Sequence, residues 1–404
     1  MLSFKNFLLR EAFHGLPNIE VMSLKQFGKD YQSDSSVEEA DDEKLLGIPH
    51  KVPSDAEIQD YLKRVMDGKK TSRDKYVMPY VHNKVLIQIS GPSYVIDPTG
   101  NKAISTDGDK VIDVDDLKKQ ITQRPTRILS QNQKMLKSAG EEYVFFNFGI
   151  PALTGLAVDE STGKFVVVTT CPGAGQCKLF CYALKGGYVQ YPASFLKQTR
   201  MLNYLLNDPS GFFSKLESEL SAEQKKFSKK NVKIVVRWHD AGDFFSDQYR
   251  EMFFDVVRKF PDIEFYAYTK LASGAMGDKP ENFTINFSQG ALRSQEKQVD
   301  TSKYKHSAVV PKELFSDLMS RVTKTGEDGK EVKSLKFTSP ENEQKFKERL
   351  AKKYNIKPDS ILTYDEMMKT PKSEKHKWNV IVVPGEGDVS ATRKDVLGTY
   401  LLFH

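Results

Sequence analysis

Val232-Lys233-Ile234-Val235-Val236-Arg237-Trp238 leads into His239-Asp240-Ala241-Gly242-Asp243, and Ile263-Glu264-Phe265-Tyr266-Ala267-Tyr268 follows some twenty residues later. The first and last of these runs are rich in β-branched and aromatic residues, so both read as strands. Between them Tyr249, Met252, Phe253, Val256, Val257 and Phe260 recur at helical spacing, and Ser246 stands where its oxygen can cap the first turn. Strand, polar glycine-containing loop, helix and strand make a βα unit with parallel strands.

The alternation extends outward from this unit. Tyr143–Phe148, Phe165–Thr169, Thr284–Ser288, Ala308–Val310 and Asn379–Val383 read as further strands. Pro192–Asn207, Phe212–Lys226 and Glu341–Tyr354 read as helices. The expected fold is therefore α/β, with a TIM-like or partial (β/α) barrel over residues 127–404. Residues 326–377 are charged and irregular and read as an insertion. Upstream, Val85–Ile89 and Tyr94–Ile96 with the turns Asp97-Pro98-Thr99-Gly100 and Asp107-Gly108 predict a small β-rich appendage over 76–126. Residues 12–75 are polar and weakly periodic and read as a flexible acidic linker, with one short helix at Ile58, Leu62 and Val65.

Composition narrows the class. The chain has 404 residues, of which 39% are hydrophobic and 28% charged, so a sizeable core can form in a soluble protein. No apolar run approaches the roughly 20 residues that span a bilayer, and no secretory signal is evident. The expected location is a cytoplasm, where thiols stay reduced. The net charge of +6 permits contact with nucleic acid without demanding it, because Lys and Glu are interspersed. Arg124, Arg127, Lys134 and Lys137 form a basic connector that can serve such a contact.

Three cysteines are too few, and odd in number, for a disulfide scaffold. All fall within eleven residues, in Thr170-Cys171-Pro172-Gly173-Ala174-Gly175-Gln176-Cys177-Lys178-Leu179-Phe180-Cys181-Tyr182-Ala183. The spacing is C-x5-C-x3-C, on a loop that follows the strand Phe165–Thr169. Pro and Gly let the backbone curl so that thiolates converge and N–H groups face the sulfurs. Three thiolates suit a 4Fe–4S cluster with one iron open, or a zinc ion completed by a fourth ligand. His239 is the obvious distant candidate for that fourth ligand.

Leu129-Ser130-Gln131-Asn132, Asn147-Phe148-Gly149-Ile150-Pro151-Ala152, the cysteine loop, His239-Asp240-Ala241-Gly242-Asp243-Phe244 and Tyr266-Ala267-Tyr268-Thr269-Lys270 together resemble the phage gene product 88 family over about 127–300. That family is similar to divergent radical S-adenosylmethionine proteins, which share a Cys-Tyr-Ala element and a Thr-Lys strand end. The resemblance implies three cysteines on a 4Fe–4S cluster, with S-adenosylmethionine on the open iron. The usual spacing there is C-x3-C-x2-C with an aromatic before the last cysteine; this chain keeps the aromatic, Phe180, and departs from the spacing.

On this reading Cys171, Cys177 and Cys181 bind the metal. Asp240 and Lys270 are the candidate catalytic residues. Asp240, Gly242, Asp243, Tyr182, Tyr268 and Ser288 are candidates for the cofactor, because acids accept from an ammonium and Gly242 permits close approach. Lys270, at a strand's C-terminal end, suits a carboxylate or phosphate. Asn286, Ser288 and Gln289 end another strand with polar side chains, and Lys185-Gly186-Gly187-Tyr188 can help enclose a cofactor. No Walker loop, G-x-S-x-G elbow or H-E-x-x-H is present, and Gly385-Glu386-Gly387-Asp388 is a lone glycine-rich loop. The competing reading is a non-enzymatic module, stabilised by zinc or iron–sulfur, that binds host nucleic acid or protein.

Residues 1–12 resemble the capsid-targeting leader of proteins packaged in T-even-like phage heads. Leu9-Arg10-Glu11 matches the prohead protease site, with the cut after Glu11. The resemblance implies a chain that travels in the virion and enters the host cytoplasm.

Overall fold

The structure is a computed structural model that describes residues 16, 19–23, 85–88, 93–96, 103–105, 111–131, 142–177, 181, 183, 192–325, 331–383 and 389–402. The expected leader helix, the helix near Ile58 and the acidic stretch from Asp34 lie outside these residues. In chain order the strands are β1 (Val21–Ser23), β2 (Val85–Gln88), β3 (Ser93–Ile96), β4 (Ala103–Ser105), β5 (Val111–Ile112), β6 (Tyr143–Asn147), β7 (Thr154–Asp159), β8 (Lys164–Thr169) and β9 (Lys233–Trp238). They continue with β10 (Glu264–Thr269), β11 (Phe283–Ser288), β12 (His306–Val310), β13 (Met319–Thr325), β14 (Glu331–Phe337), β15 (Ile361–Thr363), β16 (Trp378–Val382) and β17 (Val396–Leu402).

The central sheet has eight strands in the order β15-β16-β17-β12-β11-β10-β9-β6, and every neighbouring pair is parallel. The βα unit read from sequence lies at its heart. β9 and β10 are parallel neighbours joined through the helix Asp247–Lys259, whose Tyr249 N–H donates to Ser246 Oγ at 3.1 Å. From β6 through β9, β10, β11 and β12 each strand lies beside its predecessor, the winding of a barrel. The chain then passes to the far edge at β15 and returns through β16 to set β17 against β12. That reversal leaves β6 and β15 as separate edges, so the expected closure into a barrel is not seen among the described residues.

β8 corrects a second expectation. It joins β7 and β1 in a separate antiparallel sheet, not the parallel one. Its run Phe165-Val166-Val167-Val168 is buried throughout, and a doubly buried run reads alike in either kind of sheet. The partner β1 comes from the stretch read as linker, where Leu16 and Ile19 are also buried in the main core. Helix Pro192–Asn207 covers the free edge of β7: Asn203 Oδ1 accepts from Val158 N–H at 2.8 Å, and Asn203 Nδ2 donates to Leu156 O at 3.1 Å.

Strands β2-β3-β4-β5 form a four-stranded antiparallel meander. It ends in a helix, Val114–Thr122, that the sequence reading omits. Within the stretch 326–377, helix Pro340–Tyr354 buries Phe346 and Leu350 in a core cluster, and β15 is an edge of the central sheet.

Alternation gives the central sheet two unlike faces. One carries Val144, Phe146, Val236, Trp238, Phe265 and Ile285 into the main core against the helices. There Trp238 stacks between Phe148 at 4.1 Å and Phe253 at 3.9 Å. The other face is polar across its middle: Asn147, Arg237, Thr284, Asn286, Ser307 and Thr399 are all buried on it. Its apolar part is a small cluster of Phe145, Val235, Tyr266 and Ala391.

Candidate functional site

The cysteine loop begins where β8 ends and docks on the C-terminal ends of β10 and β11. Cys171 N–H donates to Leu153 O at 3.2 Å, and Leu153 N–H returns a hydrogen bond to Cys171 Sγ at 3.2 Å. Further along, Ala174 bridges Ala291, and the N–H groups of Gly175 and Cys177 both donate to Gly290 O, at 3.1 and 2.9 Å. Leu292 N–H closes the contact on Gly173 O at 2.9 Å. The loop glycines therefore serve close approach rather than a tight curl. A Cβ on Gly173 would lie 2.5 Å from Lys270 O, and one on Gly175 would lie 2.3 Å from Ala291 O.

None of the three cysteines forms a disulfide. The Cys171 thiol is raised well above the usual thiol range, first by burial, then by the Asp243 carboxylate, and also by Cys177 and Cys181. Leu153 N–H pulls it back in part. Asp243, Cys177 and Cys181 thus all act on the Cys171 thiol, and a cation beside it would favour the ionised form. As they stand, no three His, Cys, Asp or Glu side chains among the described residues are arranged to hold a metal ion. Residues 178–180 and Tyr182 lie outside the described residues, as do Lys185-Gly186-Gly187-Tyr188 and Gly385-Glu386-Gly387-Asp388.

Asp243 ties three strand ends together. Its carboxylate accepts from Phe244 N–H and Lys270 N–H, each at 2.7 Å, and its own N–H donates to Thr170 O at 3.0 Å. It does not cap the following helix; Ser246 does. Burial pushes its carboxyl up to about 6 against these hydrogen bonds. Gly242 holds φ +80, and a Cβ there would strike Ile150 Cγ1 at 2.3 Å.

Asp240 sits beside β6, where it accepts from Asn147 Nδ2. A Cβ on Gly149 would overlap its Oδ1 at 1.9 Å. Lys197 is lowered by burial and raised by Asp240 and Glu219, which places an ammonium near this carboxylate. His239, at φ +61, turns into the aromatic core, where its Nε2 meets Tyr249 OH at 2.7 Å. Burial lowers it to about 3, so the ring is neutral. Its Nε2 is committed to Tyr249, while its Nδ1 is buried with no hydrogen-bond partner among the described residues.

Lys270 is committed to the protein. Its Nζ donates to Ser288 Oγ at 2.5 Å, Gln289 O at 2.7 Å and Ser288 O at 3.0 Å, which uses all three ammonium hydrogens. It clamps the end of β11 beneath the cysteine loop instead of offering an open ammonium. Tyr268 shares the polar face with Tyr266 and lies under Arg237, whose guanidinium is 5.3 Å from the ring. Arg237 and Asn147 are site residues that the sequence reading passed over. The available signal was a charged side chain inside an otherwise apolar strand. The structure thus gathers Cys171, Cys177, Cys181, Asp243, Lys270 and Ser288, with Asp240 at the adjoining end of β6.

The basic connector is partly spent inside the chain. Arg124 pairs with Asp208 at 2.8 Å and Arg127 with Glu223 at 2.6 Å, while Lys134 and Lys137 lie outside the described residues. No described helix is long and apolar enough to cross a membrane.

Fold and site define an α/β protein with a three-cysteine loop seated on the C-terminal ends of an open parallel sheet. The chain belongs to the phage gene product 88 family, whose model matches residues 122–347. No curated protein and no solved structure matches it.

Proposed function

We propose that Cys171, Cys177 and Cys181 hold a 4Fe–4S cluster with one iron open to S-adenosylmethionine, and that the chain is a radical S-adenosylmethionine-like enzyme. The observation that supports this reading is the seating of the cysteine loop on the C-terminal ends of β10 and β11, with Asp243, Cys177 and Cys181 each raising the Cys171 thiol. A cationic cluster relieves that repulsion, and the donor set is all thiol. The position at the C-terminal ends of parallel strands is where α/β folds bind ligands.

When bound, such a cluster supplies an electron to its cofactor. The chain's own residues do the rest. Leu153 N–H donates to Cys171 Sγ and tunes that ligand. Asp240 offers a carboxylate for the cofactor's ammonium. Gly242, Tyr268 and Ser288 form its surroundings, while Asp243 and Lys270 hold the loop in place. The test is anaerobic reduction with S-adenosylmethionine: the wild type cleaves it, and Cys177→Ala loses both iron and cleavage. Full iron content in Cys177→Ala refutes the ligand assignment. Zinc in the same thiolates, with no cleavage, refutes the enzyme and favours the binding module.

The leader reading adds a separate expectation about residues outside those described. Peptide mass spectrometry of purified virions would find the chain starting at Ala12; its absence from virions ends that reading.

A further inference from the structure

Between helix Tyr364–Lys369 and β16 the chain reads Lys369-Thr370-Pro371-Lys372-Ser373-Glu374-Lys375-His376-Lys377, four lysines against one acid. Hydrogen bonds fix this segment to the turn before β17. Arg393 Nη1 donates to Met367 O at 2.7 Å and to Thr370 O at 3.1 Å. Ser373 N–H donates to Asp395 Oδ2 at 3.2 Å, and Trp378 N–H to Asp395 O at 2.8 Å. Lys377 Nζ reaches Lys394 O at 3.0 Å, which brings a fifth lysine alongside. Arg393 and Asp395 neutralise each other through two buried hydrogen bonds of 2.9 and 2.6 Å. The lysines are what remains of the charge.

Lys369, Lys372, Lys375, Lys377 and Lys394 are all exposed, and none has an acidic partner among the described residues. Exposed lysines elsewhere pair within the chain, as Lys119 does with Asp116, Lys259 with Glu217 and Lys303 with Asp300. Like charges held together repel, and the buried Lys305 amine beneath them registers it. Burial lowers that amine first, and Lys377 and Arg393 add to the fall against the pull of Asp395. The surface also carries rings. His376 is exposed, and its ring lies 5.5 Å from that of half-buried Trp378, tilted by 31°. A ring face set among ammoniums suits a nucleic-acid strand, whose phosphates take the lysines and whose bases stack. An anionic lipid surface would use the charge and leave the rings without a part. The surface lies at the N-terminal ends of β16 and β17, opposite the strand ends that seat the cysteine loop. It also lies outside the stretch 122–347 that the family model matches.

We propose that Lys372, Lys375, Lys377 and Lys394, with His376 and Trp378, form a binding surface for single-stranded nucleic acid. The surface does not depend on what the thiols hold. The test is fluorescence anisotropy of labelled oligothymidylate and oligouridylate, titrated with the full-length protein between about 50 and 200 mM salt. At least one strand binds, with a log–log salt slope of about −0.7 for each lysine engaged. Reversing two exposed charges, Lys372→Glu with Lys375→Glu, weakens binding about tenfold or more with no loss in melting temperature. The slope loses about 1.4 of its magnitude in that variant. His376→Ala weakens binding about fivefold or more through lost stacking and leaves the slope unchanged. Trp378 emission is quenched on binding, while Trp238, 0% exposed in the core, stays silent. Equal binding in both variants overturns the surface. So does a loss of binding in Lys134→Glu with Lys137→Glu instead, which moves the contact to the basic connector. Binding to phosphatidylglycerol vesicles with none to either strand overturns it too, in favour of a lipid surface. Cys177→Ala binds the strand as the wild type does, so each result leaves the cluster reading where it stood.

Discussion

The carboxylate of Asp243 accepts the backbone N–H of Lys270 at 2.7 Å, across the gap between the loops that follow β9 and β10. The same residue's N–H reaches Thr170 O at the end of β8. One buried acid thus connects the antiparallel sheet that delivers the cysteines to the parallel sheet that receives them. The geometry of the thiols depends on how well that join and the Gly173–Cys177 seam are kept.

Gly175→Ala tests the seam. The new Cβ would sit 2.3 Å from Ala291 O, a backbone atom with no flexible side chain to yield. The loop must lift, at a cost of about 1–3 kcal/mol. Hydrogen exchange at the Cys177 and Leu292 amides speeds up, and metal content falls with it. Gly163→Ala is the control, since at φ +65 it meets nothing within 4 Å and costs only about 1–2 kcal/mol of backbone strain. Unchanged exchange in Gly175→Ala contradicts the docking.

His239 is expected to be neutral with its proton on Nδ1. Tyr249 OH accepts from Trp238 Nε1 at 2.8 Å, so its single proton goes to His239 Nε2 at 2.7 Å. Nitrogen-15 NMR will show the Nδ1–H tautomer, with no titration between about pH 5 and pH 8. The folded pKa of about 3 lies below the ordinary 6.5. The stability it contributes is present above 6.5 and is lost as pH falls toward 3. Tyr249→Phe leaves two buried nitrogens unpaired and costs about 2–4 kcal/mol. A ring that titrates near 6.5 contradicts the burial.

Lys305 gives the opposite end of the pH range its slope. Burial lowers it to about 7 from 10.5, against the pull of Asp395 and with the push of Lys377 and Arg393. A depressed lysine contributes stability that is full above 10.5 and lost as pH falls toward 7, by about 5 kcal/mol at most. Urea unfolding of the wild type therefore strengthens from pH 7.5 to about 10, and Lys305→Met removes that slope. Identical slopes in the two proteins refute the assignment.

The parallel strands were legible because each is a short apolar run ended by polar or glycine residues. Val232–Trp238 differs from β9 by one residue at its start, and Ile263–Tyr268 differs from β10 by one residue at each end. β17 was missed because Gly398 interrupts its run, and the glycine is explained by what a Cβ there would meet: Asn379 Oδ1 at 2.4 Å, Tyr400 Cε2 at 2.8 Å and His306 Nε2 at 3.0 Å. β8 was assigned to the wrong sheet because its hairpin neighbour β7 was not read as a strand and its other partner, β1, lies more than a hundred residues away. The three cysteines stand out by their spacing alone. The lysines between 369 and 377 were read only as part of a charged, irregular stretch, and Lys394 was not named at all. Their meeting depends on hydrogen bonds to residues 394 and 395, which no local pattern carries. Lys270 was read as an open group, and His239 as a ligand candidate or a satisfied histidine in a turn. The oxygens that occupy them come from residues 288–289 and from Tyr249 in the next helix.

The central claim is that one loop binds one open cluster. Anaerobic purification, followed by iron, sulfide and zinc analysis and an optical spectrum, tests it most directly. The account predicts about four irons and four sulfides per chain, with broad absorption near roughly 400 nm. A colourless protein with about one zinc per chain, or with no bound metal, contradicts it.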